Sequence, residues 1–103
     1  MTIAKTTDKT GAETTVTAES DRFVIAVEGE NVGLAEFYDR DGRRTFPHTE
    51  VDPKFQGRGL ATILVAEALA ATRGAGLRVV PACSMVADFI DKHPEYRDIT
   101  DAR

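Results

Sequence analysis

The sequence predicts an α+β domain in which an antiparallel β-meander is followed by a helix, a short strand and a second helix. Three observations predict this order. Strand-like runs separated by turn residues lie between positions 22 and 51, a helical repeat of apolar residues follows a glycine-rich turn, and an apolar run near position 79 precedes a shorter helical stretch. A chain of 103 residues is long enough for one compact core.

The meander begins with a strand over residues 22–28, which are rich in β-branched and aromatic side chains. A turn over residues 29–31 leads to a partner strand over residues 32–39. Asp41 and Gly42 form a second tight turn, and residues 43–51 run back as a third strand. Pro47 cannot donate to a β-ladder, so it is expected at an edge or a bulge.

The long helix is predicted from apolar residues at helical spacing, and it ends near Arg73 because Gly74 and Gly76 follow. Its apolar positions are Leu60, Ile63, Leu64, Ala68 and Leu69. Residues 77–81 then read as a short buried strand reached by a crossover. Ser84 is expected to cap a second helix over residues 85–92, which ends at His93 and Pro94.

Composition limits the classes of function. Hydrophobic residues make up 42% and charged residues 29% of the chain, the balance of a globular protein. A net charge of -4 argues against broad nucleic-acid binding, and no run approaches transmembrane length or forms a signal peptide. The single cysteine excludes an internal disulfide and agrees with a reducing compartment, so a cytoplasmic location is predicted.

Residues 1–15 are polar and rich in threonine, which predicts a flexible leader ahead of a single domain over residues 16–103. Such a segment offers little apolar surface to offset the entropy lost on ordering. We therefore expect the fold to begin after this segment.

Residues 56–61 open the long helix with two glycines. Backbone N–H groups in such a turn, together with the unpaired donors and the dipole of the helix N-terminus, favour a phosphate or diphosphate. The alternative is that Gly57 and Gly59 only shape a turn. No Gly-Lys-Ser/Thr ending follows, so the segment lacks the residues of a P-loop.

This segment resembles the acetyl-CoA signature of the GNAT N-acetyltransferase superfamily, which is Gln or Arg, two residues, Gly, one residue, and Gly or Ala. Gln56, Gly59 and Ala61 match it. Residues 46–51 before it, and residues 79–84 and 93–96 after it, look like the very small stand-alone branch of that superfamily. The resemblance runs from about residue 22 to residue 96 and implies a minimal GNAT-like fold that transfers an acetyl group from acetyl-CoA to an amine.

The resemblance also implies a coenzyme site in which splayed strands form a gap for the pantetheine arm, lined by Val51 and Val79. Backbone amides of residues 57–61 would hold the pyrophosphate, Arg58 would add positive charge, and an N–H near Val51 would polarise the thioester carbonyl. The predicted coenzyme-binding residues are Val51, Gln56, Gly57, Arg58, Gly59, Leu60, Ala61, Val79 and Ser84.

Three residues are candidates for catalysis. His48 and Glu50 alternate on one strand, so either could accept a proton from an amine, and the alternative is a solvated strand end. Cys83 precedes a helix N-terminus, where a thiol can become a nucleophile that carries the acyl group, or it is a small buried apolar residue. Direct transfer and transfer through Cys83 both stay open. His93 is explained by helix capping, and no metal site is predicted.

The acceptor is expected to be an amine, such as a protein lysine or a polyamine. Ordinary GNAT enzymes carry extra N-terminal elements that build the acceptor pocket, so this side should be open or completed by a partner. The acidic residues near the C-terminus are either a solvated surface or a site for a cationic amine. They are Asp88, Asp91, Asp98 and Asp101. A monomer or weak homo-oligomer is predicted, and the alternatives to an enzyme are a non-catalytic CoA-binding module and an interaction domain.

Overall fold

The computed structural model describes residues 1–101, which form a six-stranded sheet with two helices. The strands lie in the order of the chain, antiparallel from β1 to β5, with β6 parallel to β5. The strands are β1 (Thr2–Thr7), β2 (Glu13–Ala18), β3 (Arg22–Val27), β4 (Glu30–Arg40), β5 (Arg43–Val51) and β6 (Arg78–Val80). The helices are α1 (Leu60–Gly74) and α2 (Ser84–Lys92), and 3₁₀ turns lie at Pro53–Phe55 and Pro94–Ile99. The predicted α+β class is confirmed, and so is the predicted order of elements from β3 onward.

The third strand of the predicted meander carries a bulge. Pairing between β4 and β5 passes from Tyr38 opposite Thr45 to Glu36 opposite His48, so two residues of β5 stand opposite one residue of β4. The extra position falls at Phe46 and Pro47, as expected for a residue without an N–H group. The expectation for Pro47 is confirmed.

The flexible leader predicted over residues 1–15 is wrong. β1 and β2 form a hairpin there, and β2 extends the sheet by pairing with β3 from Thr14 opposite Val27 to Ala18 opposite Phe23. Thr14 and Val16 are completely buried. The low apolar content misled the prediction, because backbone hydrogen bonds to β3 and a run of β-branched residues stabilise this hairpin.

One face of the sheet carries the core. Phe23, Ala35 and Thr49 are cross-strand neighbours on this face, and all three are buried. α1 packs against β3 to β6, and α2 packs against α1 and β5. Burial of each large apolar side chain contributes roughly 1.5–3 kcal/mol to the stability of the fold, so the packing of the helices on this face stabilises the domain. The opposite face, called the outer face below, carries Val24, Leu34 and Glu50 as cross-strand neighbours.

A gap opens between β5 and the segment after β6. The parallel pairing ends at Thr45 opposite Val80, and the last link is the Cys83 N–H, which donates to the Phe46 carbonyl at 2.9 Å. Beyond the bulge, the end of β5 and the start of α2 border one cleft, which Val51 and Met85 both line. The resemblance implied a gap for the pantetheine arm at this place.

The end of α1 and the start of α2 can be compared with the predicted helix boundaries. Gly76, with a φ of 72°, ends α1 as its N–H donates to the Arg73 carbonyl at 3.0 Å. Ser84 is the first residue of α2, and the N-cap position belongs to Cys83 in extended conformation, so the predicted Ser84 cap is wrong. Within residues 1–101, neither helix has the length and apolar character needed to cross a membrane.

Candidate functional site

The turn before α1 depends on two glycines with positive φ. Gly57 has a φ of 81° and Gly59 a φ of 78°, and Gly59 is the N-cap of α1. Residues with a Cβ rarely adopt this backbone, and a Cβ at Gly57 would meet no atom within 4 Å. The glycines therefore leave the backbone bare on the open side of the turn, where a ligand can approach closely.

The N-terminus of α1 presents donors to this turn. The first bond within the helix runs from the Ile63 N–H to the Gly59 carbonyl at 3.1 Å. The preceding N–H groups, of residues 60–62, have no partner in the helical ladder, and they lie at the positive end of the helix dipole. The arrangement suits an anion that several amides can bind together.

A cleft of about 300 Å³ lies directly over these donors. It brings together six of the predicted coenzyme-binding residues from the end of β5, the turn and the start of α1. They are Val51, Gln56, Gly57, Gly59, Leu60 and Ala61. Phe55, Thr62 and Met85 also line it and were not predicted from the sequence. Phe55 and Thr62 could have been predicted from the sequence, since they directly flank the matched motif at residues 56–61.

Two predicted coenzyme-binding residues lie elsewhere. Val79 is completely buried in the core, because β6 pairs with β5 there and Val79 stands opposite Arg44. It therefore does not line the gap, and this prediction is wrong. Ser84 is exposed at the first position of α2, and Met85 is the residue of α2 that reaches the cleft.

The sequence resemblance implied that Arg58 adds a positive charge to the coenzyme site, but in the structure this charge is paired with a carboxylate. Its Nε donates to Asp8 Oδ2 at 2.7 Å and its guanidinium also donates to the Thr10 hydroxyl at 3.2 Å. The guanidinium carbon lies 5.0 Å from the centre of the Phe55 ring. Arg58 thus joins the turn before α1 to the β1–β2 turn, a contact between segments far apart in the sequence.

The Asp8 carboxylate that receives Arg58 is fully buried, with 0% of its side chain exposed. It accepts hydrogen bonds from the Thr10 hydroxyl at 2.6 Å, the Thr10 N–H at 2.8 Å and the Ala12 N–H at 3.1 Å. The Thr10 hydroxyl, the two N–H groups and Arg58 together lower the pKa of Asp8 to about 2, against the opposing effect of burial. Asp8 is therefore ionised at neutral pH.

Cys83 lies across the gap from β5. Its Sγ is 3.3 Å from Thr49 Oγ1, and Thr49 is only 8% exposed. Cys83 is half-buried at the N-cap of α2, beside the cleft residue Met85. The thiol is thus held at the inner edge of the gap by a hydroxyl partner.

The backbone of β5 supplies donors to the gap. The Asp52 N–H donates to the Val32 carbonyl on β4 at 2.7 Å. Because successive residues of a strand direct their N–H groups to opposite edges, the Val51 N–H points away from β4 and toward the gap. Gly33 permits the close approach of β4 here, since a Cβ on it would lie 2.8 Å from the Glu50 carbonyl oxygen.

His48 and Glu50 lie on the outer face, and His48 Nε2 is 3.3 Å from Glu50 Oε1. Both are largely exposed, at 54% and 61% of their side chains. Glu50 borders a groove of about 580 Å³ on that face. The other polar residues lining the groove are Glu19, Arg22, Asn31 and Asp52. The structure thus places the candidate bases and the candidate nucleophile on opposite faces of β5.

The remaining candidates have structural partners. The His93 ring stacks on Phe89 with centroids 3.9 Å apart, and its Nδ1 lies 2.9 Å from the Phe89 carbonyl oxygen, which confirms its capping role. Asp98 accepts two bonds from Arg73, and Asp101 accepts from Arg43 and Arg78. These partners lower the pKa of both carboxyl groups. Asp88, Asp91 and Asp98 are exposed, but Asp98 and Asp101 are already paired with arginines.

Comparison with known proteins agrees with this geometry. The family model described as GCN5-related N-acetyl-transferase matches residues 22–99. Among solved structures, the fold is similar to the NMR solution structure of a "GCN5-like putative N-acetyltransferase" from Staphylococcus aureus, with a TM-score of 0.67 and 19% sequence identity. The similarity covers 85% of this chain and 88% of the other chain. Comparison with curated proteins finds no match.

Proposed function

We propose, from the premise that the chain belongs to the GCN5-related N-acetyltransferase family, that it transfers an acetyl group from acetyl-CoA to a primary amine. The observation that carries the proposal is the cleft over the N-terminus of α1, with its bare glycine backbone and free amides. Acetyl-CoA supplies the activated thioester. The residues of this chain supply binding, orientation and a proton acceptor.

The coenzyme side of the proposal rests on the amides of residues 57–62. A diphosphate is matched by several N–H donors at the positive end of a helix, and no side chain on Gly57 or Gly59 obstructs it. Val51 and Phe55 supply apolar contact to the pantetheine arm at the other end of the cleft. The Val51 N–H, directed into the gap, suits the developing negative charge on a thioester oxygen.

The acceptor side rests on the groove along the outer face. Three carboxylates border it, from Glu19, Glu50 and Asp52, against one guanidinium from Arg22. This excess of carboxylates, on a chain whose net charge is -4, favours a cationic amine such as a lysine side chain or a polyamine. Glu50, or His48 hydrogen-bonded to it, would accept the proton that the amine must lose.

A covalent route is the competing chemistry at the same site. In it, the Cys83 sulfur loses its proton, forms a thioester bond to the acetyl carbon and releases the CoA thiolate, which takes up a proton. The amine then attacks the acetyl-Cys83 thioester and returns the thiol. The position of Cys83 at the inner edge of the gap favours this route, whereas the exposed groove beside Glu50 favours direct attack.

A non-catalytic CoA-binding module is the second candidate. It is favoured by the high exposure of His48 and Glu50, because a site this open does not exclude water from the reacting groups. Such a protein would bind CoA and acetyl-CoA through the same amides and present them to a partner. It would show no turnover with any amine.

Two experiments test the proposal. A thermal shift with acetyl-CoA comes first, because a ligand that binds only the folded state at 100 times its Kd raises stability by about 2.7 kcal/mol. The second experiment follows CoA release with lysine peptides, polyamines and neutral alcohols at low and high salt. Binding with turnover of amines, weaker at high salt, supports the enzyme. Binding without turnover favours the non-catalytic module, and no binding refutes both.

A further inference from the structure

The β1–β2 turn contacts the turn before α1 through its backbone. The Lys9 N–H donates to the Arg58 carbonyl at 3.1 Å, so Lys9 is joined directly to the residue between the two glycines. This part of the chain lies outside residues 22–99, the stretch that the family model matches. The contact therefore adds to the matched region a segment that the family signature does not include.

The Lys9 side chain lies along Gly59. A Cβ built on Gly59 would be 3.2 Å from Lys9 Cε, 3.4 Å from Cγ and 3.6 Å from Cδ. The absence of a side chain on Gly59 thus makes room for the lysine stem. Since Nζ is bonded to Cε, the ammonium group ends within a few ångströms of the α1 N-terminus.

The buried Asp8 fixes the backbone of the turn that carries Lys9. Asp8 binds Thr10, Ala12 and Arg58, which closes the turn and attaches it to the loop. Arg58 is neutralised by this ion pair, while Lys9 is exposed. Lys9 lines a second cavity of about 420 Å³, which shares Gly59 and Thr62 with the cleft.

We infer that Lys9 is a coenzyme-binding residue whose ammonium group contacts the diphosphate of CoA, in the role that the sequence assigned to Arg58. The inference rests on the proposed function, because it requires CoA in the cleft. Arg58 and Asp8 are positioning residues that hold the lysine over the loop. An ammonium group is well suited to this task, since it binds phosphate oxygens as a compact point charge.

The test compares Lys9→Gln with the wild type by calorimetric titration of three ligands, namely CoA, 3′-dephospho-CoA and pantetheine. Lys5→Gln is the matched control, because Lys5 is also an exposed lysine of the same hairpin, with 68% of its side chain exposed and a pairing to Glu13 at 3.7 Å. It makes the same change in net charge. Lys9→Arg tests whether a cation restores binding.

We expect Lys9→Gln to bind CoA and 3′-dephospho-CoA about tenfold more weakly than the wild type, the effect of losing one charge-assisted contact at an exposed site. Pantetheine, which lacks the diphosphate, should bind both proteins equally. Lys5→Gln should bind as the wild type does, and Lys9→Arg should recover most of the loss.

Three outcomes would overturn the inference. Equal CoA affinity of Lys9→Gln and Lys5→Gln would remove Lys9 from the site while leaving the proposed function intact. A loss seen with CoA but not with 3′-dephospho-CoA would move the contact from the diphosphate to the 3′-phosphate. Absence of CoA binding by the wild type would refute the proposed function, and the inference with it.

Discussion

Thr49 Oγ1 and Cys83 Sγ lie 3.3 Å apart across the gap between β5 and α2. The two residues are 34 positions apart in the sequence. The bulge in β5 places Thr49 on the face of the sheet that carries the core. A hydroxyl at this distance can donate to a thiolate or accept from a thiol. This pair is therefore the point at which the covalent and direct routes can be separated.

Cys83→Ser tests the covalent route. Serine is close in size and a much weaker nucleophile, so the variant should fold and bind CoA with unchanged affinity. If Cys83 carries the acetyl group, mass spectrometry of wild-type protein incubated with acetyl-CoA will find an acetylated peptide that contains Cys83, and the variant will lose turnover. Thr49→Val, which removes the hydroxyl, should then slow acetylation. Full activity in Cys83→Ser would leave direct transfer as the route.

Glu50→Gln tests the direct route. Removal of a general base typically lowers kcat by about 10²-fold to 10⁴-fold, with a smaller effect on KM. Glu36→Gln is the control, because Glu36 is a carboxylate on the same outer face and stands opposite His48. It should leave kcat close to the wild-type value. Equal kcat in the two variants would contradict the assignment of Glu50 as the base, and His48→Gln would then be measured in the same assay.

Gly57→Ala tests the bare backbone of the turn. The positive φ makes a Cβ unfavourable by roughly 1–2 kcal/mol, and the new methyl group would stand where the diphosphate approaches. Gly42→Ala is the matched control, with a φ of 76° and open space around its Cβ but a position in the β4–β5 turn. Urea unfolding should show similar losses of stability in both variants. Only Gly57→Ala should weaken CoA binding in calorimetry, and unchanged affinity would reject the phosphate assignment.

Asp8→Asn tests the ion pair beneath the turn. Because folding lowers the pKa of Asp8 from 3.8 to about 2, the ionised carboxylate stabilises the folded state fully above pH 3.8. That contribution decreases as the pH falls toward 2 and is lost below it. The variant should therefore unfold at lower urea concentration than the wild type at pH 7, with the difference shrinking between pH 4 and pH 2. Asp91→Asn, at an exposed position, should show no such difference.

The sequence predicted the elements from β3 onward because their apolar residues follow regular periods. The strand over residues 43–51 has the predicted bounds, and the long helix ends within a residue of the expected position. β1 and β2 were missed because polar threonines dominate them, although the β-branched run around Val16 was a usable signal. The glycine turn was found from its local motif.

Contacts between residues far apart in the chain could not be predicted from the sequence. The pairing of Arg58 with Asp8 joins residues 50 positions apart, and no local pattern specifies it. Val79 was assigned to the gap from the family resemblance, which does not tell where the pairing of β6 with β5 ends in this chain. The faces taken by His48 and Thr49 depend on the bulge, and a single proline does not reveal in which direction the register shifts.

The N-terminal hairpin has a practical consequence for work with shortened proteins. A chain cut to the family-matched residues 22–99 would leave β3 without β2, and the strand that carries Phe23, Ile25 and Val27 would become a free edge. Exposed apolar edges recruit strands from other molecules and lead to aggregation. The shortened protein would also leave Arg58 without Asp8. Precipitation or weak coenzyme affinity in such a fragment would thus reflect the cut and would reveal little about the intact molecule.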